Sequence, residues 1–146
     1  MLPANTTPMS ELAQQRSLII NAWSYLSKTS AAKCAGMLMA CATTHRYTNR
    51  TSPIKGATLD SWIKEGNAPL WACKAALVLC LSEKWQPSNT TEWAVFSYLY
   101  IRLEDSVHSL EDITHSLPSH IPTDIATGWI CAAIEEQSHF NTKMQS

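Results

Sequence analysis

Glycine is scarce in this chain, with four residues in 146, at Gly36, Gly56, Gly66 and Gly128. No two lie close together, so there is no glycine-rich loop whose backbone amides could cradle a phosphate. Long apolar runs are missing too. The most continuous one, residues 75–81 (AALVLCL), falls far short of the roughly 18–20 residues that span a bilayer, and no membrane association is expected. Residues 1–12 lack the basic and apolar regions of a secretory signal, so a cytoplasmic location is expected. Charged residues make up only 16% of the chain and nearly cancel, at net −1. The whole-chain charge therefore selects no class of partner.

Catalytic groupings are missing as well. Glu104/Asp105, Glu111/Asp112 and Glu135/Glu136 are sequence neighbours, and neighbours on a helix point in different directions. They read as solvated faces. His108 and His115 are seven apart, with Glu111 and His120 nearby, a wider spacing than metal-binding helical histidines use. Of five cysteines, Cys34/Cys41 and Cys73/Cys80 are each seven apart, whereas zinc motifs pair their ligands two to four residues apart. Free cysteine behaves as a small buried hydrophobe, so core packing is expected. The chain is expected to be no enzyme and to need neither cofactor nor metal.

What is present is helical periodicity. Ser10 can cap a first helix, along which Leu12, Ile19, Ile20, Trp23 and Leu26 recur at core-facing spacing. Thr29 or Ser30 can cap a second, AAKCAGMLMACA, whose small residues let a neighbour approach closely. Residues 43–56 are polar and threonine-rich, contain Pro53, and read as a loop. A short helix over 57–65 turns Leu59, Trp62 and Ile63 inward and stops at Gly66. Asn67 can cap the next helix, with Pro69 in its first turn. It runs to about Trp85 and buries Leu70, Trp71, Leu77, Val78 and Leu81. A long apolar helix follows from about Thr91. Ser109 with Asp112 opens a short one, and 124–139 makes the last, with Ile125, Trp129, Ile130 and Ile134 inward. The expected fold class is all-α, with six or seven helices. The expected domains are 10–86 and 89–140.

Charge is unevenly distributed along the chain. Residues 28–84 carry Lys28, Lys33, Arg46, Arg50, Lys55, Lys64, Lys74 and Lys84 against Asp60, Glu65 and Glu83, a net of +5. Residues 85–146 carry Arg102 and Lys143 against Glu92, Glu104, Asp105, Glu111, Asp112, Asp124, Glu135 and Glu136, a net of −6. Such asymmetry points to one basic working surface and an acidic half with another task.

Within the basic half, Leu59, Trp62, Gly66 and Pro69 precede an apolar helix from Trp71. This stretch resembles the end of lambda-repressor-like helix-turn-helix DNA-binding domains, in which the short helix is the recognition helix. The resemblance implies that Lys55, Gly56, Ala57, Thr58 and Ser61 enter a major groove, while Leu59 and Trp62 face inward. In the adjoining loop, His45, Arg46, Arg50 and Lys55 are interleaved with Thr48, Asn49, Thr51 and Ser52. Arginine and lysine neutralise phosphates, and short polar side chains hydrogen-bond to them. The candidate DNA contacts are therefore Arg46, Asn49, Arg50, Thr51, Ser52, Lys55, Thr58, Ser61 and Lys64.

The helix around Trp93, Phe96, Tyr98, Leu99, Tyr100, Ile101 and Leu103 has too few polar positions for a one-sided surface helix. It is either a dimerisation surface, with Trp93, Phe96, Tyr100 and Trp129, or a central core helix. The expected function is that of a dimeric, sequence-specific regulator of transcription that binds double-stranded DNA. The resemblance adds a mobile-element origin. The alternative is a non-enzymatic inhibitor or adaptor that binds another protein through its acidic, aromatic C-terminal half.

Overall fold

The computed structural model describes residues 8–103 and 109–145, with side chains over 11–103 and 109–138. Glu104, Asp105 and His108, singled out above, lie outside the described residues. The described residues form eight α-helices and no strand, so the protein is all-α. The helices are α1 (Pro8–Ala13), α2 (Leu18–Ser27), α3 (Ala31–Thr44), α4 (Gly56–Glu65), α5 (Leu70–Ser82), α6 (Thr90–Tyr100), α7 (Leu110–His115) and α8 (Thr123–Gln145). They divide into two units, Gln15–Trp85 and a second made of Met1–Gln14 with Gln86–Ser146.

The first expected helix is in fact two, α1 and α2, and residues 10–14 belong with the C-terminal helices. No glycine or proline marks the break. Residues 14–17 tighten into three-residue turns, with Leu18 N–H donating to Gln15 O at 3.0 Å and Ile20 N–H to Ser17 O at 3.0 Å. Ser17 is buried, and its Oγ accepts from Ala68 N–H at 2.9 Å. A contact across 51 residues of sequence has no periodic signature.

In the unit Gln15–Trp85, α2 buries Ile19, Ile20 and Trp23, and α3 buries Cys34, Ala35, Leu38 and Ala42. Ser30 caps α3, its hydroxyl accepting from Lys33 N–H at 3.2 Å. Helix α5 buries Ala72, Cys73, Ala75, Ala76, Leu77 and Cys80 and packs against both α2 and α3. A helix apolar on nearly every side belongs inside. Its start differs from expectation. Pro69, not Asn67, holds the N-cap position, and Leu70 stays 36% exposed. Asn67 cannot cap a helix that starts three residues later, and Ser17 already holds the intervening Ala68 amide.

Helix α4 anchors Leu59 at full burial, while Trp62 meets Trp71 edge-to-face at 5.8 Å. Gly66, at φ 67°, closes the helix, its N–H donating to Trp62 O at 2.9 Å. The start of α4 is pressed against the start of α3. A Cβ added to Gly56 would lie 2.8 Å from Ala32 N and 3.1 Å from the Ala31 carbonyl carbon and Cβ. The small residues of α3 thus admit α4 at backbone range.

In the other unit, Asn89 caps α6 by accepting from Glu92 N–H at 2.9 Å, and Glu92 Oε1 accepts in return from Ser88 N–H at 2.8 Å. Helix α6 buries Trp93, Ala94, Val95, Phe96, Ser97 and Leu99. It packs on α1 and α8. Ser109 caps α7, its Oγ accepting from Asp112 N–H at 3.1 Å. Helix α8 turns Ala126, Ile130 and Ala133 inward. That register leaves Ile125, expected inside, 47% exposed.

Candidate nucleic-acid interface

Residues 45–55 join α3 to α4, and both ends of this connection are anchored. At the α3 end the chain forms a Schellman motif: Arg46 N–H donates to Thr43 O at 3.1 Å and Tyr47 N–H to Ala42 O at 2.8 Å. Arg46 occupies the left-handed position usually given to glycine, at φ 60°. The same motif ends α5, with Lys84 at φ 67° and Trp85 N–H donating to Cys80 O at 3.0 Å. A basic residue there lies near the negative end of the helix dipole, which offsets part of the backbone cost. Tyr47 is half-buried, its ring stacked on His45 at 5.3 Å and met by Lys74 Nζ of α5 at 4.6 Å from the centroid. At the α4 end Ile54 is buried.

Between the anchors the chain is solvent-facing. Asn49, Arg50, Thr51, Ser52 and Pro53 are exposed, as are Arg46 and Lys55 at the two ends. Arg50 is held locally, its N–H donating to Thr48 Oγ1 at 3.1 Å and its Nε to Ser52 O at 3.1 Å. Among the described residues none of Arg46, Arg50, Lys55 and Lys64 forms an ion pair; the pair present is Arg102–Glu136 at 3.8 Å, in the other unit.

The structure gathers the candidates Arg46, Asn49, Arg50, Thr51, Ser52 and Lys55 into this one exposed segment. Helix α4 is less suited to DNA. Ser61 and Lys64 are exposed and Thr58 is half-buried, but Asp60 and Glu65 share the helix surface. Nor is the first turn of α4 presented freely, because Gly56 is closed against Ala31 and Ala32. The connection before it is also far longer than a helix-turn-helix turn.

Charge separates along the same division as the fold. The unit Gln15–Trp85 holds Arg16, Lys28, Lys33, Arg46, Arg50, Lys55, Lys64, Lys74 and Lys84 against Asp60, Glu65 and Glu83, a net of +6. The remaining residues hold Arg102 and Lys143 against Glu11, Glu92, Glu104, Asp105, Glu111, Asp112, Asp124, Glu135 and Glu136, a net of −7.

Of the four residues expected at a dimer surface, Trp93 and Phe96 are buried and Tyr100 and Trp129 are half-buried. Phe96 is fully buried and Trp93 nearly so, with ring centroids 5.7 Å apart. Trp129 packs beside Ala94 and Ala133, and Tyr100 donates its hydroxyl to Ser116 O at 2.9 Å. Burial gives α6 the character of a central core helix, because α1 and α8 already cover its apolar sides. Trp93 and Phe96 are spent within their own unit and offer no surface to a second copy.

Cys34, Cys73 and Cys80 are buried and all five thiols are unpaired. Burial pushes the Cys73 thiol up to about 12, with Arg16 and a hydrogen bond from Ser17 pulling weakly the other way. Burial alone pushes Cys80 up to about 12. Such thiols hold their protons and are poor nucleophiles or metal ligands. Among the described residues no three His, Cys, Asp or Glu side chains gather as metal ligands do, and no helix is long and apolar enough to cross a membrane. The Tyr47–Lys74 contact has no signature in sequence, being set by the packing of α3 on α5. The chain matches no family model, no curated protein and no solved structure.

Proposed function

We propose that this protein binds double-stranded DNA through the connection between α3 and α4 and acts as a regulator of transcription. One observation carries this reading. Among the described residues Arg46, Arg50 and Lys55 stand exposed and form no ion pair, interleaved with Asn49, Thr51 and Ser52, on the unit whose net charge is +6. Cations held this way neutralise phosphates without first giving up a carboxylate partner. Anchoring at Tyr47 and Ile54 limits the chain entropy lost when the segment docks. An exposed arginine within it can read guanine through two hydrogen bonds. In this reading α4 supports the segment and contributes Ser61 and Lys64 at its edge. Dimerisation through α6 is not part of the proposal, because Trp93 and Phe96 are buried within their own unit.

Fluorescence anisotropy against duplexes from upstream of the protein's own gene tests the reading. One duplex bound about a thousandfold more tightly than unrelated DNA supports a sequence-specific regulator. No binding at low salt sinks it. Full activity after substituting both Arg46 and Arg50 points instead to a protein partner for the acidic unit.

A further inference from the structure

The stack at the end of α3 joins an exposed ring to a half-buried one. His45 is exposed, and its N–H donates to Cys41 O and Thr43 O, which fixes its backbone. Its ring lies against Tyr47 with 15° between the planes. Tyr47 is secured in turn by its N–H donating to Ala42 O and by Lys74 at its ring. His45 is exposed, so the ring face opposite Tyr47 is left to solvent. The result is a braced, planar, heteroaromatic surface with Arg46 beside it in sequence and Arg50 four residues further on. A planar ring face close in the chain to exposed cations is a pairing that can bind a nucleotide by base and phosphate together.

Base pairing decides which nucleotide. Inside a duplex both faces of each base are covered by neighbours, and extruding a paired base costs at least as much as one stacking contact returns. The ledge therefore cannot open intact DNA, but it can hold a base that is already unpaired. We infer that His45, braced by Tyr47 and Lys74, stacks on an unpaired nucleobase, so that the preferred ligand is a DNA duplex interrupted by a bulge. This rests on the DNA-binding reading and adds a ligand class to it.

The test uses the full chain and two fluorescent 20-base-pair duplexes, one fully paired and one carrying a single bulged 2-aminopurine. The wild type binds the bulged duplex more tightly by about 5- to 150-fold, the usual effect of one stacked base, and quenches 2-aminopurine emission on binding. His45→Ala brings the affinity ratio to within about twofold of unity. His45→Phe keeps the plane without the ring nitrogens and retains the ratio. Equal affinity of the wild type for both duplexes overturns this inference and leaves the DNA-binding reading standing. A ratio that survives His45→Ala also overturns it. Failure to bind either duplex at low salt overturns both.

Discussion

Alanine substitutions at Gly36 and Gly56 are expected to act in opposite directions. Replacing a helical glycine with alanine gains up to about 1 kcal/mol from propensity and reduced freedom of the unfolded chain. Gly36 lies within α3, is exposed, and has nothing within 4 Å of an added Cβ. Gly36→Ala should therefore keep most of that gain. Gly56 meets backbone, with the added Cβ 2.8 Å from Ala32 N, and no side-chain rotation can relieve it. Overpacking of this kind costs roughly 1–3 kcal/mol, which outweighs the propensity gain, so a net loss of about 1–2 kcal/mol is expected. At roughly 4–8 °C per kcal/mol for a unit of 60–100 residues, the two variants should melt about ten degrees or more apart on either side of the wild type. Thermal melting by circular dichroism and urea midpoints at constant m-value measure this. If Gly56→Ala melts at or above the wild type, α4 does not begin against α3, and the anchoring of the 45–55 segment is lost with it.

Other outcomes follow from the same structure. Arg46→Gly relieves a left-handed residue at φ 60° and should raise stability by up to about 1 kcal/mol while weakening DNA binding; a joint loss of both would contradict the assignment. Asn89→Ala removes the α6 cap and should cost about 1 kcal/mol in urea unfolding, and no cost would mean that Ser88 and Glu92 suffice. The Cys73 and Cys80 thiols, raised from 9.0 to about 12 in the folded chain, give stability a pH dependence. Below pH 9 both states keep these protons; above it the unfolded chain releases them first, so stability falls as pH rises from 9 toward 12. The loss is about 1 kcal/mol per thiol at pH 10, and a Cys73→Ala, Cys80→Ala double variant should show a shallower decline in urea titrations at pH 8–10.5.

Local chemistry made much of this fold legible. Ser30 and Ser109 cap where hydroxyl residues precede apolar periods, and Gly66 stops α4 because it accepts a positive φ. What could not be read was set by partners distant in sequence. The tightened turns between α1 and α2 leave Ser17 buried, its hydroxyl accepting from Ala68 N–H across 51 residues of sequence. Tyr47 looks like a polar-loop residue until Lys74 of α5 arrives at its ring. Helix α6 was open to two readings because an apolar surface in sequence does not say whether the chain's own helices cover it. The basic segment was legible as composition. That its cations form no ion pair among the described residues required the fold.

The central claim is that the cations of 45–55 bind phosphates, and the salt dependence of affinity measures it most directly. With Arg46, Arg50 and Lys55 on phosphates, and Lys64 of α4 at the edge, log K against log salt should fall with a slope of about −2.7 to −3.6, roughly a hundredfold between 50 and 200 mM. The Arg46→Ala, Arg50→Ala variant should bind more weakly at every salt concentration, with a slope shallower by about 1.8. An unchanged slope in that variant, or no binding by the wild type at 50 mM, would contradict the account.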